Sequence, residues 1–259
     1  MKAVSSRDNP GYKRMSRLHA SGQARRAQGV SLLDGAHLVD AYLASGREID
    51  EIAVNAAGLE DGEIARLVGR SGGARVMLLS DSLFKAISTV DSPTGIVAFV
   101  KTPEAVLPAP DASLVLALDD IQDPGNVGTL LRSAAAAGAS HVVLSGGCAF
   151  AWSPKVLRAA MGAHFSLGIA EGIDLPAFAK GFRGTTIALS GGAGRSLYDL
   201  DLAKPCAIFV GNEGAGLAAE LEAACKVRAR IPMPGRVESL NAGVAGSLAL
   251  FECVRQRRK

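Results

Sequence analysis

Cysteine and histidine are scarce in this sequence, and neither residue is spaced as a metal site requires. The four cysteines, Cys148, Cys206, Cys225 and Cys253, are scattered along the chain, and the four histidines are equally isolated. A structural zinc site needs such ligands in closely spaced pairs. The sequence therefore predicts no bound metal. Three of the cysteines fall in or beside predicted elements, which indicates reduced, structural thiols in a cytoplasmic protein.

Long apolar runs are missing as well. A membrane-spanning helix needs about 20 consecutive apolar residues, and no stretch of this chain approaches that length. The amino terminus is basic and polar, without the apolar segment of a secretory signal. Because 48% of the residues are hydrophobic, the composition predicts a soluble globular protein with an ample core and no membrane partner.

Residues 1–101 form the first predicted domain, a small α/β domain of about four strands. Its first 29 residues are predicted to be a basic arm, with an extended segment over 1–10, a short basic helix over 12–20 and a polar link over 23–29. Beyond the arm, strands are predicted at 30–33, 49–54, 75–79 and 95–100, and helices at 36–44, 60–68 and 81–87.

Residues 102–112 contain three prolines and little periodicity, and they are predicted to be a linker. The second predicted domain spans residues 113–259. Its strands are predicted at 113–118, 141–144, 165–169, 185–189, 206–210 and 227–231, with helices between them. These runs are apolar on both faces, which favours a parallel sheet covered by helices and makes the fold class α/β.

A dinucleotide-binding domain is the obvious alternative for such a sheet. Its fingerprint is Gly-x-Gly-x-x-Gly directly after the first strand. Here the strand at 113–118 leads into residues 120–126, which lack that pattern, and the glycine-rich stretch at 190–194 follows the fourth strand with the wrong spacing. The sequence therefore argues against NAD binding.

Positive charge is concentrated at the two ends of the chain. Residues 1–29 contain seven lysines and arginines against one aspartate, and residues 250–259 contain four against one glutamate. The formal net charge is only +3, so the body between these ends is acidic. This asymmetry indicates a polyanionic partner such as a nucleic acid, although a merely solubilising role for the basic ends stays open.

The stretch from Val227 to Asn241 has the pattern of a ligand-binding loop. A short apolar strand meets Pro232 and Pro234, which cannot donate to a sheet ladder, and Ser239 then precedes a helix that starts with small residues. A loop with few large side chains before a helix N-terminus suits a ligand held by backbone groups. An ordinary strand-to-helix turn is the alternative interpretation.

Two further stretches place polar residues directly after predicted strands. Asn126-Val127-Gly128 is followed by Arg132, and Gly211-Asn212-Glu213-Gly214-Ala215-Gly216 follows the strand at 206–210. Arg132 lies in an apolar, alanine-rich helix, so we expect it to point into a cleft. The alternatives are an N-cap role for Asn126, a helix-surface position for Arg132 and a solvated loop position for Glu213.

Taken in order with Ile231-Pro232-Met233 and Ser239-Leu240-Asn241, these stretches closely resemble the three motifs of the SpoU (TrmH-type) RNA ribose 2′-O-methyltransferases. The resemblance is strong over residues 113–254 and looser before them. It implies a parallel-sheet domain with a trefoil knot of the SPOUT type, S-adenosylmethionine as cofactor, and a homodimer with the site near its interface. The knot and the dimer rest on this resemblance alone.

The resemblance also implies roles for individual residues. Arg132 would lie beside the target ribose and phosphate, and because arginine is effectively always protonated, it would stabilise charge rather than act as a base. The other catalytic-site candidates are Asn126, Glu213, Ser239 and Asn241. The residues implied to bind the cofactor are Leu189, Gly191, Gly211, Ile231, Met233, Ser239 and Leu240.

The first domain resembles the RNA-binding α/β fold shared with certain ribosomal proteins. The expected RNA contacts are Arg7, Asn9, Lys13, Arg14, Arg17, Arg25 and Arg26. Aromatic residues make up only 5% of the chain, so we do not expect base stacking to dominate RNA binding. Ribosomal RNA is favoured as substrate over tRNA. A base-methylating enzyme, a non-catalytic RNA-binding assembly factor and a role in antibiotic resistance stay open as alternatives.

Overall fold

The structure is a computed structural model that describes residues 1–258, with the side chain of Lys2 outside the described set. The chain divides into two compact units. The first comprises Met1–Pro103 together with Trp152–Phe165, and the second comprises Glu104–Ala151 and the described residues from Ser166 onward. No helix within residues 1–258 combines the length and the apolar character that a membrane span needs.

The first unit is built on a five-stranded mixed sheet. Its strands are β1 (Lys2–Val4), β2 (Val30–Asp34), β3 (Glu51–Val54), β4 (Arg75–Leu79) and β5 (Ile96–Lys101). Its helices are α1 (Pro10–Ala20), α2 (Gly22–Gln28), α3 (Ala36–Ala44), α4 (Ala56–Glu60), α5 (Gly62–Arg70) and α6 (Asp81–Lys85). The strand order is β1-β4-β3-β5-β2, and β5 runs antiparallel to both of its neighbours.

The first 29 residues are folded. The helix predicted over 12–20 is present in α1, the extended segment predicted over 1–10 is confirmed only for β1, and the polar link predicted over 23–29 is wrong because α2 occupies it. β1 pairs in parallel with β4 at the sheet edge and supplies a fifth strand where about four were expected. Ser21 caps the start of α2, and Gly29 ends it in the left-handed conformation at φ 59°. Met15 and Leu18 are fully buried in the core of this unit.

The second unit contains a six-stranded sheet. Its strands are β6 (Leu114–Leu118), β7 (His141–Leu144), β8 (Gly168–Ala170), β9 (Thr185–Leu189), β10 (Cys206–Val210) and β11 (Val227–Ala229). The helices from here to the end of the chain are α7 (Pro124–Ala136), α8 (Pro154–Ala160), α9 (Leu175–Gly181), α10 (Ala219–Ala224) and α11 (Ala242–Arg257). Every strand pair is parallel, which confirms the predicted parallel sheet. The strand expected at 165–169 starts only at Gly168, after a 3₁₀ turn at Ala163–Ser166.

The strand order of this sheet places the end of β6 beside the end of β10. The order is β11-β9-β10-β6-β7-β8, so the chain leaves β6 towards β7 on one side and later returns to fill the other side. In open parallel sheets, ligands bind outside the carboxyl ends of the strands where the order reverses in this way. From the topology we therefore expect a ligand site among the loops that follow β6, β9, β10 and β11.

The segment Trp152–Phe165 belongs to the first unit, although in the sequence it falls between β7 and β8 of the second unit. The sequence did not indicate this. Phe165 meets Tyr42 edge to face, with ring centroids 5.2 Å apart. Arg158 donates a 3.3 Å hydrogen bond to the carbonyl of Thr89. The domain boundaries drawn from the sequence, 1–101 and 113–259 with a linker between, stay predictions.

Candidate active site

A cavity of about 230 Å³ lies at the carboxyl ends of β9, β10 and β11, beside the start of α11. It is lined by Leu189, Ser190, Gly191, Val210, Gly211, Asn212, Glu213, Ala215, Gly216, Leu217, Glu222, Ile231, Met233, Glu238, Ser239, Leu240, Ala242 and Ala245. All seven residues expected to bind the cofactor are in this set, as are the catalytic candidates Glu213 and Ser239. The structure therefore brings together expected cofactor residues that are up to 51 positions apart in the sequence.

The lining of the cavity favours a ligand that is neutral or positively charged. Three carboxylates contribute to it, those of Glu213, Glu222 and Glu238, and none of the lining residues is a lysine or an arginine. A phosphate group would meet repulsion in such a site, whereas a sulfonium would be attracted. The side chains of Ile231 and Leu240 offer apolar surface for a flat ring.

One wall of the cavity is a tight hairpin that follows β10. Asn212 and Gly216 exchange two backbone hydrogen bonds, of 3.0 and 2.9 Å, and Gly216 has a φ of 72° that glycine adopts without strain. Gly211 lies directly beneath this hairpin. A Cβ atom there would overlap the carbonyl group of Gly216 and the backbone nitrogen of Leu217, so only glycine fits at this position.

The three motifs meet in a chain of side-chain hydrogen bonds. The amide of Asn126 donates to the carboxylate of Glu213, and its oxygen accepts a 2.9 Å hydrogen bond from the amide of Asn241. The oxygen of Asn241 accepts in turn from the backbone nitrogen of Val244 and caps α11. The side-chain amides of Asn126 and Asn241 therefore each use both their nitrogen and their oxygen. The carboxylate of Glu213 is the last acceptor in this series of hydrogen bonds.

The position of Asn126 decides between its two interpretations. Asp123 is the N-cap of α7 and accepts a 2.8 Å hydrogen bond from the backbone nitrogen of Asn126. Asn126 itself lies in the first turn of the helix, so the alternative that it is the cap is wrong. Its side chain is left to bridge Glu213 and Asn241.

Arg132 lies on α7 six residues beyond Asn126, and it is exposed to solvent rather than turned into a cleft of this chain. It is not among the residues that line the cavity. Its guanidinium forms no hydrogen bond or ion pair with any residue within 1–258. The structure therefore presents a fixed positive charge at the surface of the helix that carries Asn126.

Small residues on α11 allow this helix to lie against α7. A Cβ at Gly246 would overlap the side chain of Leu130, and one at Gly243 would come within 3.2 Å of Thr129. The hydroxyls of Ser133 and Ser247 lie 2.7 Å apart across the interface. The small residues thus permit a close approach, which fixes the helix of Asn241 against the helix of Asn126.

Asn212 was not among the residues expected at the site. Its side-chain oxygen accepts hydrogen bonds of 2.9 Å from Gly214 N and 3.1 Å from Ala215 N. Its amide donates a 3.0 Å hydrogen bond to the carbonyl of Asp120. An asparagine that follows a strand and precedes Glu-Gly is a signal for such a turn, and this signal was present in the sequence.

The cysteines do not supply a nucleophile. Burial raises the pKa of Cys148, and it raises the pKa of Cys225 to about 12, so neither is a thiolate at neutral pH. Cys206 and Cys253 are fully buried in the second unit. Chemistry through a covalent cysteine adduct therefore finds no support in the cavity. Within residues 1–258, no three His, Cys, Asp or Glu side chains cluster as a metal-binding group.

The basic residues of the first 29 positions have different surroundings. Arg7 and Arg17 are exposed and have no ion-pair partner among the described residues. Arg26 is also exposed, and Lys13 forms a 2.8 Å ion pair with Asp8 that is open to solvent. These residues remain accessible to a polyanion.

Three of the expected RNA contacts have roles in the fold. Asn9 caps α1 through hydrogen bonds from Gly11 N and Tyr12 N. Arg14 forms an ion pair with the buried carboxylate of Glu51. Arg25 is buried and donates to the carbonyls of Leu18 and His19 at the end of α1, so it does not present its guanidinium to solvent.

Comparison with known families matches both parts of the chain. Residues 113–251 match the sequence model of the SpoU rRNA Methylase family. Residues 2–98 match the sequence model of an MRM3-like substrate binding domain. The first match covers more than half of the chain and contains every residue of the cavity.

Individual relatives extend over the whole chain. The 23S rRNA (guanosine(2553)-2′-O)-methyltransferase RlmP of Bacillus subtilis is 32% identical, over 97% of this chain and 98% of the relative. The AdoMet-bound rRNA methyltransferase from Sinorhizobium meliloti is 28% identical with a TM-score of 0.86, over 100% of this chain and 99% of that chain. The SpoU methyltransferase AviRb from Streptomyces viridochromogenes, in complex with AdoMet, is 26% identical with a TM-score of 0.86, over 96% and 98%.

Proposed function

The chain belongs to the SpoU rRNA Methylase family, and on that premise we propose that it methylates a ribose 2′-hydroxyl of the large ribosomal RNA with S-adenosylmethionine as methyl donor. The observation that carries this proposal is one cavity lined by the second and third motifs, with the first motif joined to them by hydrogen bonds of Asn126. Seven expected cofactor residues line it, and the Asn126, Glu213 and Asn241 side chains are joined beside it by hydrogen bonds.

The residues of the cavity fit the proposed cofactor. Backbone groups beside Gly191 and Gly211 would hold the adenosine, with Ile231 and Leu240 on either side of the adenine ring. The carboxylates in the lining would favour the positive charge of the sulfonium. When bound, S-adenosylmethionine supplies a methyl group on that sulfonium, ready for displacement.

The remaining task of the protein is to hold the target hydroxyl in line with the methyl group and to assist the loss of its proton. An arginine side chain is a poor candidate for a general base in proteins, so we assign Arg132 a different role. Its exposed guanidinium would instead orient the phosphate next to the target ribose and stabilise the developing alkoxide. The hydrogen bonds that join Glu213, Asn126 and Asn241 hold α7, α11 and the hairpin after β10 together at the site.

The test is a comparison of modified nucleosides in ribosomal RNA from wild-type and deletion strains by mass spectrometry. Loss of one 2′-O-methyl nucleoside from large-subunit RNA, restored by the purified protein with S-adenosylmethionine, is the expected result. Loss from tRNA would instead identify a tRNA enzyme. No loss from any RNA would favour the assembly factor, and loss of a methylated base would identify a base methyltransferase.

We also expect exposed arginines of the first unit to contact RNA phosphates. The double substitution Arg7→Glu with Arg17→Glu should weaken RNA binding and lower the slope of log affinity against log salt by about one for each phosphate that is no longer neutralised. Filter binding at several salt concentrations measures both quantities, and cofactor affinity should not change. Deleting residues 1–29 is not a clean test, because Met15 and Leu18 are part of the core.

The control is Arg66→Glu, which makes on α5 of the same unit the charge change that each of the two substitutions makes singly. Arg66 is exposed, so we expect its substitution to leave the fold intact. We expect it to alter the salt slope less than either substitution near α1. Equal slopes for the wild type and the double variant would remove Arg7 and Arg17 from the RNA surface.

A homodimer is the proposed state in solution, and α11 offers a surface for it. Val244, Leu248 and Phe251 are 40–49% exposed and are spaced so that they share one face of the helix. The variant with Leu248→Asp and Phe251→Asp should sediment as a monomer at micromolar concentration, because charges on this face oppose its burial. Leu107→Asp, at a residue 61% exposed in the predicted linker, is the control. A wild type that sediments only as a monomer contradicts the proposal.

Three features complete the proposal from the family resemblance. The second unit would be tied in a trefoil knot, the first unit would share its fold with RNA-binding ribosomal proteins, and the protein would act in the cytoplasm. Large-subunit RNA in bacteria is made and assembled in that compartment, which is the reason for the last of these.

A further inference from the structure

The loop that carries Glu213 is held in place by its neighbour Asn212. The oxygen of the Asn212 side chain accepts from two backbone nitrogens of the loop, those of Gly214 and Ala215. Its nitrogen donates to the carbonyl of Asp120, in the turn that follows β6. One side chain therefore closes the hairpin internally and also ties it to the stretch that leads into the first motif.

Asp120, which accepts this hydrogen bond, has a well-defined backbone position. Asp120 has a φ of 53°, a left-handed conformation that is uncommon outside glycine. Its backbone nitrogen donates a 3.0 Å hydrogen bond to the hydroxyl of Ser145, which follows β7. The Asp120 carbonyl is thus held towards Asn212 by an unusual backbone geometry. Such conformations persist where the surroundings determine them, and they concentrate at functional sites.

We propose that Asn212 is a positioning residue for methyl transfer, because it sets the place at which the Glu213 carboxylate meets Asn126. This inference rests on the proposed function and deepens it. Glu213 contacts Asn126 across an interval of 87 residues, so the hairpin and α7 must be held at a fixed separation. The hydrogen bond from Asn212 to Asp120 fixes the hairpin to the turn after β6 and so maintains that separation.

Asparagine suits this position because it both donates and accepts. Aspartate retains an oxygen for Gly214 N and Ala215 N, but it lacks the donor for the Asp120 carbonyl and brings a negative charge towards that oxygen. Asn212→Asp therefore cuts the link between hairpin and strand end while leaving the hairpin itself closed. Asn212→Ser, with its shorter side chain, also loses the link and introduces no charge.

The experiment is a double-mutant cycle in single-turnover methyl transfer, with wild-type protein, Asn212→Asp, Glu213→Gln and the double variant acting on the large-subunit RNA. We expect each single variant to lower the rate by about tenfold or more, since a displaced group at the site loses transition-state stabilisation. The double variant should be no slower than Glu213→Gln alone. The dissociation constants of RNA and S-adenosylmethionine, measured in parallel, should change by less than about threefold.

A purely structural role predicts a different pattern, in which the two substitutions act independently and their rate effects multiply. Multiplying effects, or a wild-type rate in both Asn212→Asp and Asn212→Ser, would overturn the inference. If Asn212→Asp unfolds, the cycle is run with Asn212→Ser, and thermal unfolding of each variant identifies that case. Gln122→Ala is the control, because Gln122 is exposed, donates to the Asp120 carboxylate and forms no hydrogen bond with the hairpin among the described residues.

The failure of this inference can be distinguished from the failure of the proposed function. A wild-type protein that transfers no methyl group to any RNA refutes the proposed function, and the positioning role falls with it. A wild type that transfers the methyl group, together with fully active Asn212 variants, refutes the positioning role alone.

Discussion

Replacing Arg132 with alanine is expected to lower the rate of methyl transfer by about a hundredfold or more, while affinity for S-adenosylmethionine stays near the wild-type value. The reason is the position of the residue. Arg132 lies on the exposed side of α7 and outside the set of residues that line the cavity. Its charge is available to the RNA, and it would act mainly when negative charge develops on the ribose oxygen.

Arg132→Lys should restore little of this activity. A lysine keeps the positive charge but lacks the planar group that can bridge a phosphate and a hydroxyl at the same time. Partial recovery of RNA binding without recovery of the single-turnover rate would fit this reasoning. The pair of variants therefore separates the general attraction of a positive charge from the geometry of the guanidinium.

The measurement is single-turnover transfer of a labelled methyl group, with cofactor affinity determined by calorimetry on the same samples. Arg183→Ala is the matched control, because Arg183 is also exposed in the second unit but precedes β9, at the opposite end of the strands. Full activity in Arg132→Ala would remove this residue from the site. A large loss of cofactor affinity would place it in the cavity instead.

Secondary structure was predicted best where apolar periodicity and start signals coincide. The helix at 36–44 and the strand at 75–79 have the predicted limits. Within residues 1–29, the helix predicted over 12–20 is present in α1, whereas β1 and α2 were not predicted, because such short segments carry little apolar periodicity. The pairing of β1 with β4 joins residues some 75 positions apart, and no local pattern in so short a strand predicts such a partner.

The candidate site shows the same division between local pattern and long-range pairing. The motifs identified the residues around the cavity, because strands that run in parallel end at one edge of the sheet. The hydrogen bonds from Asn126 to Glu213 and from Asn241 to Asn126 depend on how α7, the hairpin and α11 lie against one another. Those contacts join residues 87 and 115 positions apart, and spacing within one motif carries no information about them.

Gly211→Ala is expected to have the largest effect on cofactor binding of any single methyl group added to the cavity wall. The new Cβ would overlap the backbone of Gly216 and Leu217, which cannot turn aside as a flexible side chain can. The hairpin would have to move, and its two closing hydrogen bonds and Glu213 would move with it. We expect a loss of stability of about 1–3 kcal/mol, typical of overpacking, and a cofactor affinity lowered by tenfold or more.

Gly214→Ala provides the matched control in the same hairpin. A Cβ at Gly214 would lie 3.6 Å from the side-chain oxygen of Asn212, which is ordinary van der Waals contact, and the backbone there is compatible with alanine. We expect its melting temperature and its cofactor affinity to match those of the wild type. Calorimetry and thermal unfolding on the three proteins decide the question. If Gly211→Ala binds S-adenosylmethionine as tightly as Gly214→Ala does, the hairpin wall does not shape the binding site, and the close approach beneath it serves packing alone.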